Sequence, residues 1–147
     1  MNIGGLSSSG AMPALEKMFL FAGQRQRIIS NNIANIDTPG YIGTDVNPKD
    51  FQKLLGDAID QRRETRGGTG ELKLRDTRQV STSGSRMVLN PTTPTAGVLF
   101  HDRGQKNLEH LMQQLVENAS AFQVVSDLMR KNQTQLKMAI AQRVCVE

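Results

Sequence analysis

Apolar side chains recur in two helical stripes, one near each end of the chain, with a polar and irregular stretch between them. At about 100° per residue, Leu15, Met18, Phe19, Ala22, Ile29, Ile33 and Ile36 fall within an arc of about 100°. That spacing predicts a helix over 14–36, entered through Pro13, whose missing N–H costs little in a first turn. Gln26 interrupts the stripe, and Leu20, Phe21 and Ile28 lie outside it. Phe21 and Ile28 share the far side with Asn32 and Asn35. A helix packed once keeps its far side polar, so this one is expected to have a second partner. Asp37-Thr38-Pro39-Gly40 stops it: Pro39 disfavours helical geometry at Thr38, and Pro-Gly fits the centre of a type II turn.

The second stripe is longer. Leu108, Leu111, Leu115, Phe122, Val125, Met129, Leu136 and Ala139 occupy one 3-4 heptad seam, with Asn118 and Asn132 at seam positions and Met112, Ala119, Ala121, Leu128 and Ile140 on its flanks. The spacing predicts a helix over 107–142 with Asn107 as N-cap. It would be roughly 54 Å long against roughly 34 Å for the first. An antiparallel coiled-coil pair would leave part of the longer helix uncovered. Asn at seam positions costs stability but fixes register and partner number. A plain two-helix hairpin with two incidental Asn residues remains open at this point.

The stretch between the helices gives weaker signals. Phe51, Leu54, Leu55 and Ile59 suggest a short helix over 48–59. Glu71–Leu74, the surroundings of Val80, Met87–Leu89 and Gly97–Phe100 are strand candidates among Gly, Pro, Ser and Thr. The expected fold is mainly α, with paired terminal helices and a loose middle of loops and short β-strands. Its expected divisions are a disordered segment 1–12, a helical core of 13–40 plus 105–147, and a polar middle 41–104, partly disordered or a small β element.

Composition narrows the function classes. Apolar residues make up 37% of the chain, with no Trp and one Tyr, and mean hydropathy is −0.41. So little apolar area suits elongated or partner-dependent helices better than a compact ball. The net charge of +4 comes from basic residues interspersed with acidic ones, as in Asp60-Gln61-Arg62-Arg63-Glu64, and no aromatics interleave to stack on bases. Nucleic acid is therefore not an expected partner. Cys145, alone, excludes an intrachain disulfide. No apolar run reaches the roughly 18 residues of a membrane span, and Met1–Gly10 lacks the regions of a cleavable secretory signal. His101 and His110 have only sequence-neighbour acids, and Gly67-Gly68-Thr69-Gly70 lacks the Lys-Ser/Thr of a phosphate loop. No catalytic, metal or cofactor site is expected.

One motif is specific. Residues 27–41 read Arg-Ile-Ile-Ser-Asn-Asn-Ile-Ala-Asn-Ile-Asp-Thr-Pro-Gly-Tyr. Three Asn in five helical positions is a costly choice, since Asn is a poor helix former. It is explained if the amides of Asn31, Asn32 and Asn35 bond to neighbouring molecules. Ser30–Tyr41 closely resembles the N-terminal signature of the bacterial flagellar rod and hook axial proteins. In length, and in the entry from His101-Asp102 to Leu108-Glu109, the chain is most like the proximal rod members of the B type. Arg103-Gly104 and Lys106-Asn107 depart there from the family's usual wording.

The resemblance implies a structural, non-enzymatic subunit without cofactor. Such a subunit is exported through the flagellar type III apparatus without a cleaved signal and crosses the periplasm as part of the basal-body rod. Expected partners are copies of itself, other rod proteins, and the inner-membrane ring with its rod adaptor. The expected interface comprises Leu15, Met18, Ala22, Ile29, Asn31, Asn32, Ile33, Asn35, Leu108, Leu111, Leu115, Phe122, Val125, Met129 and Leu136, with the turn Asp37, Thr38, Pro39, Gly40 and Tyr41. About half of these positions could equally be ordinary intrachain core. Other readings are a different axial rod or hook subunit, a cytosolic coiled-coil adaptor and a nucleic-acid-binding helical protein.

Overall fold

The computed structural model describes residues 10–66, 70–83, 86–93 and 108–144, with residues 142–144 described as backbone only. Helix α1 spans Met12–Ala34 and begins without a side-chain cap; the free carbonyl of Ala11 takes the N–H groups of Ala14 and Leu15 instead. Gly10, at φ +67, turns the chain sharply just before it, a conformation that L side chains rarely adopt. Helix α2 spans Pro48–Arg66. Asn47 caps it, its side-chain oxygen accepting from Lys49 N–H at 3.0 Å, and Pro48 takes the first position, where no N–H is needed. Helix α3 spans Leu108–Val144.

Helix α2 runs a further seven residues past the expected Ile59. Five of those seven residues are Gln, Arg or Glu, which are good helix formers. Arg62, buried here, donates through Nη2 to the carbonyl of Gly10 at 2.9 Å and so ties the end of α2 to the start of α1.

Between α2 and α3, strands β1 (Val80–Ser83) and β2 (Arg86–Leu89) form an antiparallel hairpin with Val80 opposite Leu89 and Thr82 opposite Met87. The expected strand at Glu71–Leu74 makes no ladder, yet its alternation holds: Leu72 and Leu74 are buried, Glu71 and Lys73 exposed. A two-stranded hairpin has two open edges, each a template for unwanted pairing. Side chains close both. The Gln24 amide on α1 donates to Met87 C=O at 2.6 Å and accepts from Leu89 N–H at 3.1 Å, standing in for a third strand. On the other edge, Asp76 accepts from Thr82 N–H, and Thr77 exchanges bonds with Val80. The Asp45–Thr92 bridge fastens the segment after β2 to the segment before α2.

The partner expected for the second face of α1 is the chain's own middle. Phe21 stacks on Phe51 with ring centroids 3.9 Å apart and planes 5° from parallel. Around this pair Val46, Leu54, Leu55, Leu72, Val80 and Met87 form one buried cluster, with Leu20 and Ile28 of α1 packed against it. Burying a ring of this size contributes about 3 kcal/mol, so these few residues hold the middle against α1. The terminal helices also pair. Phe19 meets Phe122 with centroids 4.6 Å apart, Ala22 and Gln26 meet Asn118, and Asn32 and Ile36 lie beside Leu111. Rising numbers on α1 against falling numbers on α3 make the pair antiparallel. The fold is thus mainly α, as expected. Expectations placed on residues 1–9, on Gly97–Phe100, on the Asn107 cap and on Cys145 lie outside the described residues.

Candidate assembly interface

The signature segment folds back on itself. After α1 the chain turns through backbone bonds from Asn35 N–H to Asn31 C=O, Thr38 N–H to Asn35 C=O, and Tyr41 N–H to Thr38 C=O. The last closes a turn with Pro39 and Gly40 at its centre. Gly40, at φ +75, takes the position that in a type II turn requires a positive φ.

Asn32 is the keystone of the segment. It is 4% exposed; its Nδ2 donates to Thr44 C=O at 2.7 Å, and its Oδ1 accepts from Thr44 N–H at 3.2 Å and from the Tyr41 hydroxyl at 2.9 Å. A cheap helix former could not satisfy that strand-like backbone, which accounts for this Asn without a neighbouring molecule. Asn31 and Asn35 differ. Asn35 donates to Asn31 C=O at 2.8 Å, Asn31 makes a long contact of 3.4 Å with the Tyr41 hydroxyl, and all these bonds lie at the surface. Beside them Ile42 stands 46% exposed, and Asp37–Gly40 is exposed throughout.

A buried ion pair fixes the same loop about two turns lower on α1. Arg25 addresses Asp45 bidentately, Nε to Oδ1 at 3.0 Å and Nη2 to Oδ2 at 2.7 Å, with side chains 6% and 15% exposed. Asp45 also accepts from Val46 N–H at 2.7 Å, so the carboxylate is shared between helix and loop. The sequence reading missed Arg25, Asp45 and Gln24. The signal for Arg25 was its place with Phe21, Ile28 and Asn32 on one helical face, a face the two aromatic and aliphatic residues already marked as buried.

On the paired helices the expected seam positions separate into groups. Ala22, Ile29, Leu111 and Val125 are buried within the chain, Ile29 completely, at 0% exposure. Leu15, Ile33, Leu115, Phe122, Met129 and Leu136 are half-buried, and Leu108 is exposed. Met18 packs against the middle cluster. The two polar interruptions of the stripes meet: Asn118 Nδ2 donates to Gln26 Oε1 at 2.7 Å and to Ala22 C=O at 2.9 Å. That pairing fixes the register of α1 on α3, because a slip of one turn would bury the amide unpaired.

Past Met129 the seam continues with no α1 beside it. Seven residues separate Phe19 from Met12, and the same step along α3 from Phe122 ends at Met129. The remaining helix, about four turns or roughly 22 Å, carries Met138 at 54% and Ile140 at 51% exposure. Val116 at 64% and Val124 at 58% show further apolar surface earlier in α3. Among the described residues no group of three His, Cys, Asp or Glu side chains could hold a metal ion. No helix among them is long and apolar enough to cross a membrane.

One comparison with known proteins falls on the signature segment at the end of α1. The family described as "Flagella basal body rod protein" matches residues 22–41, the second half of α1 and its closing turn. The flagellar basal body rod protein FlgB of Yersinia enterocolitica is 37% identical over 75 residues, covering 50% of this chain and 51% of the relative. The chain thus spans about half the length of the curated relative it matches. The helix-and-turn signature that the sequence presents is therefore that of the flagellar basal body rod proteins, and this chain is similar to their FlgB type.

Proposed function

We propose that this chain is a structural, non-enzymatic subunit of the proximal rod of the bacterial flagellar basal body, joined to copies of itself and to other rod proteins through its terminal helices. The observation that carries the reading is the open seam of α3 beyond Met129, a bundle-type helical face that α1 and the other described residues leave uncovered over about four turns. The signature at residues 22–41 and the likeness to a FlgB protein support the same reading. The exposed turn Asp37–Gly40 with Asn31, Asn35 and Ile42 supplies a second contact surface, held rigid by Asn32 and the Arg25–Asp45 pair. In this role the chain leaves the cytoplasm through the flagellar type III apparatus, takes its place in the rod across the periplasm next to the inner-membrane ring and its adaptor, and transmits torque for motility.

The test is a chain ended after Met129, expressed in cells that lack the full-length chain. The cut removes only residues past the α1–α3 contact, so the purified shortened chain should keep its cooperative unfolding. It should nevertheless fail to enter basal bodies and leave the cells non-motile. Swimming at normal speed with the shortened chain would refute the reading.

A further inference from the structure

Helix α3 sorts its charges by sign along its length. Up to Asp127 its charged residues are Glu109, Glu117 and Asp127; after it they are Arg130, Lys131, Lys137 and Arg143. The helix dipole favours acids in the first turn and bases in the last, which accounts for Glu109 and Arg143. Its influence fades within a turn, so the other five need another cause. Pairing among the described residues is not that cause. The six charged side chains from Glu109 to Lys137 are exposed, and none of them is in an ion pair with another described residue; Asp127 and Lys131 stand one turn apart yet do not pair.

Each half of α3 also exposes apolar side chains beside its single sign of charge. Met112 and Val116 lie between Glu109 and Glu117, at 45% and 64% exposure, and Met138 and Ile140 follow Lys137. We propose that a second copy of this chain seats the basic end of its α3 along the acidic first half of α3 in the first copy, so that copies join offset lengthwise. This rests on the self-assembly proposed above and adds its register. Two copies side by side at one level and in one direction would set acid against acid and base against base, at helix spacings of about 8–10 Å, within reach of unscreened repulsion. An offset of roughly 20 residues, about 30 Å, removes both clashes and sets Arg130 and Lys137 of one copy opposite Glu109 and Glu117 of the other, with Met138 beside Val116. It also leaves a fresh acidic half and a fresh basic end exposed after each addition, so growth continues.

Two triple variants test this. One carries Arg130→Glu, Lys131→Glu and Lys137→Glu, making α3 acidic on both halves; the other carries Glu109→Lys, Glu117→Lys and Asp127→Lys, making it basic on both. Circular dichroism first confirms that each keeps the wild-type fold, since all six side chains are exposed. By sedimentation, wild-type chain should form species that grow with concentration, and should shrink as salt is raised. Each variant alone should associate at least tenfold more weakly, and an equal mixture of the two should recover wild-type growth. Unchanged association of either variant alone, or no recovery on mixing, would overturn the offset docking, the latter also being the result if residues 1–9 of the same chain cover the basic end. Growth that stops at two chains would overturn it too, because a closed antiparallel pair satisfies the same charges. Wild-type chain that stays monomeric overturns the docking as well, whereas the rod reading itself stands or falls separately with the truncation after Met129.

Discussion

Helices α1 and α3 carry apolar stripes of the same kind, yet α1 is used on two sides and α3 on one. Helix α1 buries Phe21, Ala22 and Ile29 together with Lys17, Arg25 and Asn32, whereas α3 buries only Leu111, Asn118 and Val125 among its described side chains. The difference follows from what lies opposite. The middle of the chain folds against the far face of α1 and must dock its backbone there, which requires polar side chains that can reach loop and strand edge. Nothing from the described middle reaches the far face of α3. A helix that bears both a sheet edge and a partner helix is a scaffold; one that offers a half-covered seam is a connector.

The largest expected effect breaks the scaffold. Phe21→Ala removes a ring stacked on Phe51 at the centre of the cluster and should cost about 3–5 kcal/mol in urea unfolding. The matching change on the connector, Val124→Ala at 58% exposure, should stay within about 0.5 kcal/mol of wild type. Equal losses at the two sites would erase the distinction between the helices. Next comes the buried ion pair. Arg25→Met leaves the Asp45 carboxylate without its guanidinium and should cost about 3 kcal/mol, while Arg25→Met with Asp45→Leu should recover much of it, since an apolar pair of similar volume avoids desolvating two charges. Failure of the double variant to recover would mean that the bond from Val46 N–H to Asp45, rather than the ion pair, holds the loop.

Sequence pattern made the two helices legible because each is dominated by a period that only a helix satisfies. The seam from Leu111 through Asn118 to Val125 is the face that α3 turns toward α1, and the same stripe runs on, half-buried, through Asn132 and Leu136. The middle was harder to read, because its buried positions are scattered over Phe51, Leu72, Val80 and Met87, which meet only after the chain folds back on α1. Polar side chains on the second face of α1 were the least legible. Gln24 and Arg25 carry no signal of their own in sequence, and Asn32 points there toward a neighbouring molecule, but their partners here are backbone and carboxylate groups of loops and a strand edge that no local pattern announces. The signature was visible as a pattern; that Asn32 bonds to Tyr41 and Thr44 of its own loop was visible only in the geometry.

A subtler comparison lies within α3, between its two seam amides. Asn118→Leu removes bonds to Gln26 and to Ala22 C=O and leaves the Gln26 oxygen facing an apolar neighbour, a loss of about 1–2 kcal/mol. Asn132 sits beyond the reach of α1 and is without a hydrogen bond among the described residues, so Asn132→Leu should leave unfolding of the isolated chain unchanged within about 0.5 kcal/mol. Its effect should instead be read in assembly, as a change in incorporation into basal bodies. A large loss of monomer stability at Asn132 would show that its seam is already occupied within the chain.

The smallest effect has the opposite sign. Gly23 lies in the middle of α1 on the face toward α3, and a Cβ built there would stand 3.7 Å from Phe122 Cε2, an ordinary van der Waals distance. Glycine inside a helix costs about 0.5–1 kcal/mol relative to alanine, because more backbone freedom is lost on folding. The new methyl needs no neighbour to move, so Gly23→Ala should raise unfolding stability by about that amount and leave the Phe19–Phe122 contact in place. The two helices would then be more firmly joined without a change in register, which Asn118 sets. A destabilisation instead would mean that α1 and α3 approach more closely in solution than 3.7 Å allows, and that the glycine is there to let them.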